Sequence, residues 1–317
     1  MSLFLLRRFL SFIATLAATS VIIFVALEVL PGDPALTMLG LDAPESAVRE
    51  IRAELGLDRP AHIRYLDWIG GFFVGDLGLS YTYKVPVSEL VRERLAVTIP
   101  LALFAMLLTV IIALVLGIFA ASRHNRLGDY GVMAFSQLGI AIPNFWFGIL
   151  LILAFAVGLR MFSAGGFAGW DAGVLPALKS LVLPSVTLAL ALSAILTRIT
   201  RSAVLETAGE DYVRTARAKG LSRGQTLWRH VLRNALIPVI TIGGLLFADL
   251  LAGTIIVERV FSLPGLGKLI FQAINNRDLM VVKSVVLLLA GLVVVMNFLV
   301  DVAYAVIDPR IRLGGRT

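Results

Sequence analysis

Long runs of apolar residues, separated by polar segments, make up most of this chain. About 20 consecutive apolar residues are needed for a helix to cross the hydrocarbon core of a bilayer. Stretches of this length occur six times, at Phe9–Leu30, Thr98–Ala121, Val132–Leu159, Leu181–Thr200, Leu236–Val257 and Val281–Ile307. The pattern therefore predicts an all-α integral membrane protein with six transmembrane helices.

The first apolar run follows two arginines, Arg7 and Arg8, as the apolar core of a secretory signal peptide also does. The run is longer than the ~7–15 residues of such a core, and no clear small-residue cleavage site follows it. We therefore interpret it as an uncleaved transmembrane helix.

The polar segments differ in charge, and this difference predicts the orientation of the spans. The two terminal segments, the loop 122–131 and the segment 198–235 contain 15 basic and five acidic residues, whereas segment 31–95 contains seven basic and ten acidic residues. By the positive-inside rule, both termini and the loops 122–131 and 201–235 are cytoplasmic, and segment 31–95 is extracytoplasmic. The predicted divisions are an N-terminal transmembrane helix (1–30), the extracytoplasmic segment (31–95), a core with the other five spans (96–307) and a cytoplasmic tail (308–317).

Segment 31–95 is too long for a simple connection between two spans. Its stretches Ser46–Leu55 and Ala61–Phe73 show helical periodicity, so we expect two helices packed as a cap on the spans. Segment 160–180 is rich in glycine and is predicted to be a loop.

Composition narrows the function classes. Of the 317 residues 58% are hydrophobic and only 15% are charged, against about 25% charged residues in soluble domains, which excludes a soluble globular enzyme. The net charge of +7 comes mainly from basic residues in the segments predicted to be cytoplasmic. It therefore does not indicate nucleic-acid binding. The chain has no cysteine and three histidines far apart in sequence, so neither thiolate chemistry nor a metal site is predicted.

Enzymatic motifs are also missing from the sequence. There is no G-x-S-x-G or H-E-x-x-H motif, which argues against a membrane protease. Gly265–Leu269 comes nearest to a phosphate-binding loop, but Ser262 stands at the position of its first glycine and Leu269 at that of its Mg²⁺-binding Ser or Thr. We interpret this segment as a turn and predict no ATP site on the chain.

The loop Gly209–Pro238 is longer than a connection requires, and its residues predict two helices. The first helix is predicted over Glu210–Lys219, where acidic residues at the start and a lysine at the end suit the helix dipole. Glu210 and Arg214 are spaced to form an i,i+4 ion pair. Gly220 is a residue typical of the end of a helix. The small-residue stripe of this helix, which we expect to dock into a groove on a partner, consists of Val213, Ala216 and Gly220. A capping box of Ser222 and Gln225 opens the second helix. A solvated basic loop that only fixes topology is the alternative.

Residues 210–238 resemble the cytoplasmic signature loop of ABC-importer permease subunits, in the form found in the dipeptide, oligopeptide and nickel branch. The branch pattern E-D-Y-x-R-T-A-R-A-K-G is matched by Glu210–Gly220, and H-x-L-R-N-A-x-x-P by His230–Pro238. The general family pattern has Glu and Ala where this chain has Arg214 and Thr215, a departure that fits the peptide branch. Further matches in the same order are Leu6–Arg8, Pro31–Pro34, Glu54–Asp58, Gly75–Gly78, Pro143–Trp146, Phe261–Gly267 and Asp308–Arg312.

The resemblance implies a type I importer fold and a permease subunit of the bacterial or archaeal cytoplasmic (inner) membrane. It also implies a second, similar permease subunit, two ATPase subunits that hold the ATP and Mg²⁺, and an extracytoplasmic substrate-binding protein. Glu210–Gly220 would be the coupling helix between spans 4 and 5. The predicted ATPase-docking residues are Glu210, Asp211, Tyr212, Val213, Arg214, Ala216, Arg217, Lys219 and Gly220. Di- and oligopeptides are the expected substrates, with nickel, glutathione or another small solute as alternatives.

Polar residues inside the spans are candidates for the transport pathway, because burying them in a membrane is costly. They are Asn144, Asp249, Asn297 and Asp301. Each has a structural alternative, a hydrogen bond between helices, and Asp301 lies near enough to the cytoplasmic end to pair with Arg198 or Arg201. Asp249 would also suit an ion-coupled secondary carrier, but we find no inverted repeat with paired broken helices of the kind such carriers have.

Overall fold

The computed structural model of the protein describes residues 2–29, 34–40 and 43–307. The predicted tail 308–317 and most of the Pro31–Pro34 motif lie outside these residues. The helices are α1 (Ser2–Val29), α2 (Pro34–Leu39), α3 (Glu45–Glu54), α4 (Ala61–Val74), α5 (Val87–Ser122), α6 (Leu127–Ala141), α7 (Asn144–Leu151), α8 (Val174–Gly209), α9 (Asp211–Ala218), α10 (Arg223–Thr226), α11 (Leu232–Val260), α12 (Leu266–Asn275) and α13 (Leu279–Ile307). Two π-helical segments, Ile152–Gly158 and Leu227–Val231, continue α7 and join α10 to α11.

Five of the six apolar runs form continuous helices long enough to span a membrane, and the third forms a bent pair of helices. In the part of the chain that the structure describes, five helical segments are long and apolar enough to span: Leu6–Leu27, Val87–Ser122, Val174–Gly209, Arg223–Val260 and Leu279–Val302. The predicted third span is instead a pair of helices, Leu127–Ala141 and Asn144–Gly158, bent by 103° at the break between them. The apolar run Val132–Leu159 is therefore broken in the middle, and with this bent pair counted as one span the described residues contain the six spans predicted.

Pro143 accounts for the break. Ile142 has φ −85° and ψ 123°, and Pro143 has φ −62° and ψ 132°, so both residues leave the helical region. A proline lacks the backbone N–H that an interior helix position needs, and it disfavours helical geometry at the residue before it. The second helix of the pair then begins at Asn144.

Several helices extend beyond the predicted apolar runs. α5 begins at Val87, and α8 continues to Gly209. α8 also begins at Val174, so the last part of the predicted glycine-rich loop 160–180 is helical. The remaining loop is fixed to the end of α11, because the backbone N–H of Gly166 donates to the carbonyl of Phe261 at 2.8 Å.

One compact unit comprises residues 6–99 and 264–295. Both helices predicted in segment 31–95 are confirmed, as α3 and α4. Its apolar core is formed by Leu77, Val87, Val91, Leu266, Leu269, Ile270, Ala273, Val281, Val282 and Val285. Polar anchors surround this core: Asp278 accepts hydrogen bonds from the Ser80 hydroxyl at 2.5 Å and from the Thr82 backbone at 3.0 Å. The turn expected at Gly265–Leu269 is wrong, because α12 begins at Leu266.

Among the described residues, the second compact unit comprises residues 2–5, 100–263 and 296–307. α8 lies at its centre, in contact with α6, α7 and α11. Close helix packing depends on glycine here: a Cβ at Gly117 would lie 2.6 Å from the Cβ of Thr200 and 2.9 Å from the carbonyl oxygen of Thr197. The buried hydroxyl of Thr200 donates to the Leu196 carbonyl at 2.7 Å, so the polar group is satisfied within its own helix.

Candidate partner-docking site and polar face of the spans

The helix predicted at the centre of the long loop is present as α9. It begins at Asp211, and Glu210 precedes it with an extended backbone, φ −64° and ψ 147°. At its end the Gly220 N–H donates to Arg217 at 3.0 Å and the Leu221 N–H donates to Ala216 at 3.3 Å. Gly220 has φ +91° and would have nothing within 4 Å of an added Cβ. Backbone conformation and not crowding therefore requires glycine at this position.

Two of the three residues in the stripe that was expected to dock into a partner, Val213 and Ala216, face inwards. Val213 is fully buried, Ala216 is 7% exposed, and α9 packs against α8 and α10. These two side chains pack within the chain, and docking of α9 on a partner stays a prediction. The exposed positions of α9 and its C-terminal cap are Asp211, Tyr212, Arg214, Thr215, Arg217, Ala218 and Lys219.

The exposed surface of α9 is basic, with Arg214, Arg217 and Lys219 against the single carboxylate of Asp211. The i,i+4 pair predicted for Glu210 and Arg214 is not formed. Arg214 instead lies 3.5 Å from Asp211, because Glu210 precedes the helix and does not share its face. Both partners are exposed, and such a pair contributes little stability.

A hydrogen bond joins α9 to the start of α11. The side-chain amide of Asn234 donates to the Tyr212 hydroxyl at 2.7 Å and also to the His230 carbonyl at 3.3 Å. Between the two helices the predicted capping box is confirmed, since Gln225 N–H donates to the Ser222 hydroxyl at 3.3 Å and Ser222 N–H donates to the Gln225 side chain at 3.0 Å. The loop is therefore an ordered element tied to a spanning helix, not a solvated connection.

Asn234 was not predicted as a site residue, although it lies in the His230–Pro238 motif. The motif marked Asn234 as a residue typical of the family, but it did not indicate that its side chain bonds to Tyr212. The contact joins residues that are 22 positions apart, and local periodicity carries no signal for it.

A buried ion pair holds the start of α6 to α8. Asp129 is 1% exposed and accepts two hydrogen bonds from Arg201, from Nε at 2.6 Å and from Nη2 at 2.7 Å. The Asn125 N–H also donates to this carboxylate at 3.0 Å, and His124 Nδ1 lies 3.4 Å from it. Asp301 was predicted to pair with Arg198 or Arg201. Arg201 pairs with Asp129 instead.

The pair lies near the ends of these two helices, beyond the apolar runs of the sequence, which begin at Val132 and end at Thr200. Hydrogen bonding from Arg201 outweighs the opposing effect of burial and lowers the pKa of Asp129 from 3.8 to about 2. The same contact raises the pKa of Arg201. Both groups therefore remain charged at neutral pH, and the contact fixes α8 at a point eight residues before its end at Gly209.

The four predicted pathway residues occupy different environments. Asp249 is exposed on this chain, whereas Asn144, Asn297 and Asp301 are half-buried. The Oδ1 atom of Asn297 is buried without a hydrogen-bond partner among the described residues. The exposed face of α11 on which Asp249 lies, at spacings of three and four residues, also includes Leu245, Ala252 and Ile256.

An open groove of about 380 Å³ runs along α8 beside Pro238 of α11, and we name it the α8–α11 pocket. Its lining consists of Ile195, Arg198, Ile199, Ser202, Ala203, Glu206 and Pro238. Pro238 and Asp249 are eleven residues apart on α11, which is about three helical turns, so they lie on nearly the same side of the helix. Among the described residues no group of three or more His, Asp or Glu side chains is placed to hold a metal ion.

Family models match almost the whole chain. Residues 113–313 match the model described as binding-protein-dependent transport system inner membrane component. Residues 1–102 match the model for the N-terminal part of binding-protein-dependent transport system membrane components.

Named relatives of similar length agree with these matches. A putative peptide transport system permease protein of Brucella abortus is 41% identical over 312 residues, covering 98% of this chain and 99% of that protein. The oligopeptide transport system permease protein AppB of Bacillus subtilis is 39% identical, with 98% and 99% coverage. The glutathione transport system permease protein GsiC of Salmonella choleraesuis is 38% identical, with 98% coverage of both chains.

A solved structure shares the fold. An inward-facing structure of the MetNI methionine ABC transporter aligns with a TM-score of 0.56 at 19% identity, covering 69% of this chain and 96% of that one. At this level of identity the likeness concerns the fold alone.

Proposed function

Because this chain belongs to the family of binding-protein-dependent transport system inner membrane components, we propose that it is a pore-forming subunit of an ATP-driven importer of di- and oligopeptides. It is a multi-pass membrane protein of the ABC permease type. Its full-length likeness to peptide and oligopeptide permeases supports the choice of substrate. The glutathione permease among its relatives supports glutathione as the second candidate, and nickel is the third, on the resemblance of its loop alone.

The geometry of α9 carries the proposal. A short helix with one side buried against its own chain and a basic side exposed is suited to contact an acidic groove on a soluble partner. We infer that α9 is the coupling helix and that the partner is an ATPase subunit. The docking residues are then those of its exposed side, with Gly220 ending the helix, while Val213 and Ala216 hold it in place.

Two connections would transmit motion from α9 to the spans. α8 continues to within two residues of α9, and the Tyr212–Asn234 hydrogen bond joins α9 to α11. Closure of the ATPase pair would move α9, and α8 and α11 would move with it. This motion would open the pathway alternately to the two sides of the membrane, with ATP and Mg²⁺ held by the ATPases.

We place Asp249 on the pathway. An exposed carboxylate in the middle of a spanning helix is costly against lipid, so its exposed face requires water or a second protein. A second, homologous permease subunit would supply that environment. An extracytoplasmic substrate-binding protein would deliver the peptide, and both chain termini would lie in the cytoplasm of a bacterial or archaeal cell, with the protein in its inner membrane.

Copurification from the native membrane tests the assembly. We expect two ATPases and a second permease with this chain, and a double charge reversal, Arg214→Glu with Arg217→Glu, should release the ATPases. The matched control is Arg126→Glu, since Arg126 is exposed and belongs to the start of α6 rather than to α9.

Reconstitution tests the transport itself. The complete complex in proteoliposomes should take up a dipeptide only when ATP and the binding protein are supplied. A chain that purifies alone and transports without ATP would instead establish a secondary carrier.

A further inference from the structure

The α8–α11 pocket carries charges of both signs on one side of a single helix. Its polar side chains, those of Arg198, Ser202 and Glu206, follow each other at every fourth residue of α8. Its volume is about 380 Å³, and it is open to the surface of the chain along its length. Apolar lining is provided by Ile195, Ile199, Ala203 and Pro238.

Neither of the two charged side chains, Arg198 and Glu206, is paired with another described residue of the chain. The side chains of Arg198 and Glu206 are exposed, and neither makes a hydrogen bond or ion pair with another residue in the part of the chain that the structure describes. The neighbouring Arg201, in contrast, binds Asp129 through two nitrogens. Arg198 and Glu206 are eight residues apart, about 12 Å along the helix axis, which is too far for them to neutralise each other directly.

We propose that the α8–α11 pocket binds a short zwitterionic peptide, with its carboxylate on Arg198 and its ammonium group on Glu206. The proposal rests on the peptide-import function and names the substrate class at this site. A guanidinium group matches a carboxylate with two parallel hydrogen bonds. An extended peptide spans at most about 3.3–3.6 Å per residue, so two or three residues bridge the gap left between the two side chains.

The same chemistry discriminates among the alternative substrates. A nickel ion would meet the positive charge of Arg198 and find one carboxylate and one hydroxyl as ligands. Glutathione has two carboxylates and one ammonium group, so one of its carboxylates would remain without a cation in this pocket. A peptide with one charge of each sign fits the charges of the pocket, and the apolar lining can contact its side chains.

The position of the pocket gives the binding a role in transport. Pro238 places the pocket on the side of α11 where Asp249 lies, about three turns away. Arg198 and Glu206 also belong to the last turns of α8, the helix that leads to α9. A peptide bound here would rest on the helix that the ATPases move, as a weak site that is filled during passage.

The test uses the purified complex of permeases and ATPases without its binding protein, so that selectivity comes from the membrane subunits. Three radiolabelled probes are compared by equilibrium binding: alanyl-alanine, N-acetyl-alanyl-alanine and alanyl-alanine amide. Since a hydrogen bond to a charged group is worth about tenfold in affinity or more, we expect each blocked peptide to bind about tenfold more weakly than alanyl-alanine.

The variants assign each peptide end to one side chain. In Arg198→Gln the amide should bind as well as the free peptide, while acetylation still weakens binding. In Glu206→Gln the pattern should be the reverse. The combined exchange Arg198→Glu with Glu206→Arg should recover binding of alanyl-alanine, which a misfolded protein would not do. The matched control Arg126→Gln should keep both penalties.

Any of the following results would overturn the proposal: equal binding of all probes by the wild type, variants that behave like Arg126→Gln, or loss of the second permease from the Arg198→Gln complex. The last result would assign the pocket to the interface between subunits. Saturable binding of Ni²⁺ alone that is lost in Glu206→Gln would also overturn it. ATP-driven uptake of alanyl-alanine by the wild-type importer is measured in parallel, so that a failed pocket with intact peptide uptake refutes the pocket alone.

Discussion

Replacing Asp129 by asparagine is expected to destabilise the protein by about 3 kcal/mol. The carboxylate is 1% exposed and bonds Arg201 through both oxygens. Lowering its pKa from 3.8 to about 2 corresponds to roughly 2–3 kcal/mol at about 1.36 kcal/mol per pKa unit. The variant also leaves a guanidinium group that is only 20% exposed without its anion, and breaking a buried pair in this way costs about 3–5 kcal/mol.

The assay is thermal unfolding of the purified protein in detergent. A loss of about 3 kcal/mol corresponds to a fall in Tm of roughly 5–10 °C in a chain of this size. The matched control is Asp58→Asn, because Asp58 is exposed and should change the Tm by less than about 1 °C. The double variant Asp129→Leu with Arg201→Met should recover much of the loss, since it removes both charges.

The pH dependence has a defined sign. The pKa of Asp129 is lower in the folded state, so its contribution is complete above the unfolded value of 3.8 and is lost as the pH falls towards 2. The difference in Tm between the wild type and Asp129→Asn should therefore be constant from pH 5 to 8. Equal Tm values for Asp129→Asn and Asp58→Asn at pH 7 would refute the reasoning.

Three further predictions concern coupling, packing and the pathway. Tyr212→Phe removes the hydrogen bond to Asn234, so we expect the number of peptides transported per ATP hydrolysed to fall by up to about fivefold. An unchanged number would show that α9 and α11 are coupled by other contacts. Gly117→Ala should lower the stability by about 1–3 kcal/mol because its Cβ overlaps α8, whereas Gly131→Ala, with nothing within 4 Å of the new Cβ, should be neutral or stabilising in the same unfolding assay. Asp249→Asn should reduce peptide uptake severalfold while the subunits still copurify; failed copurification would assign Asp249 to packing.

Features set by neighbouring residues were predictable from the sequence. The apolar runs gave the spanning helices, and the capping box of Ser222 and Gln225 placed the start of the helix after α9. Gly220 marked the end of α9 because few other residues adopt its positive φ. Each of these signals acts within about four residues, which is the range of a helical turn.

Features set by distant residues were not predictable in this way. Asp129 and Arg201 are 72 positions apart, and nothing near either residue specifies the other. The pattern Val213, Ala216 and Gly220 showed that α9 has a small-residue side but not whether that side meets its own chain or a partner. The break at Pro143 could be expected as a perturbation, but the 103° bend depends on how the two halves pack.

The length of α8 has a consequence for the orientation of α9. Its 36 residues form a rod of about 54 Å, against a hydrocarbon thickness of about 30 Å. Because a helix turns about 100° per residue, deleting one residue between Arg201 and Gly209 would swing the exposed side of α9 by about 100° around the rod. Deleting seven residues would nearly restore the angle but would draw α9 about 10 Å closer to the bilayer. This stretch of α8 therefore sets both an angle and a depth, and it should tolerate length changes far less well than the loop 160–173.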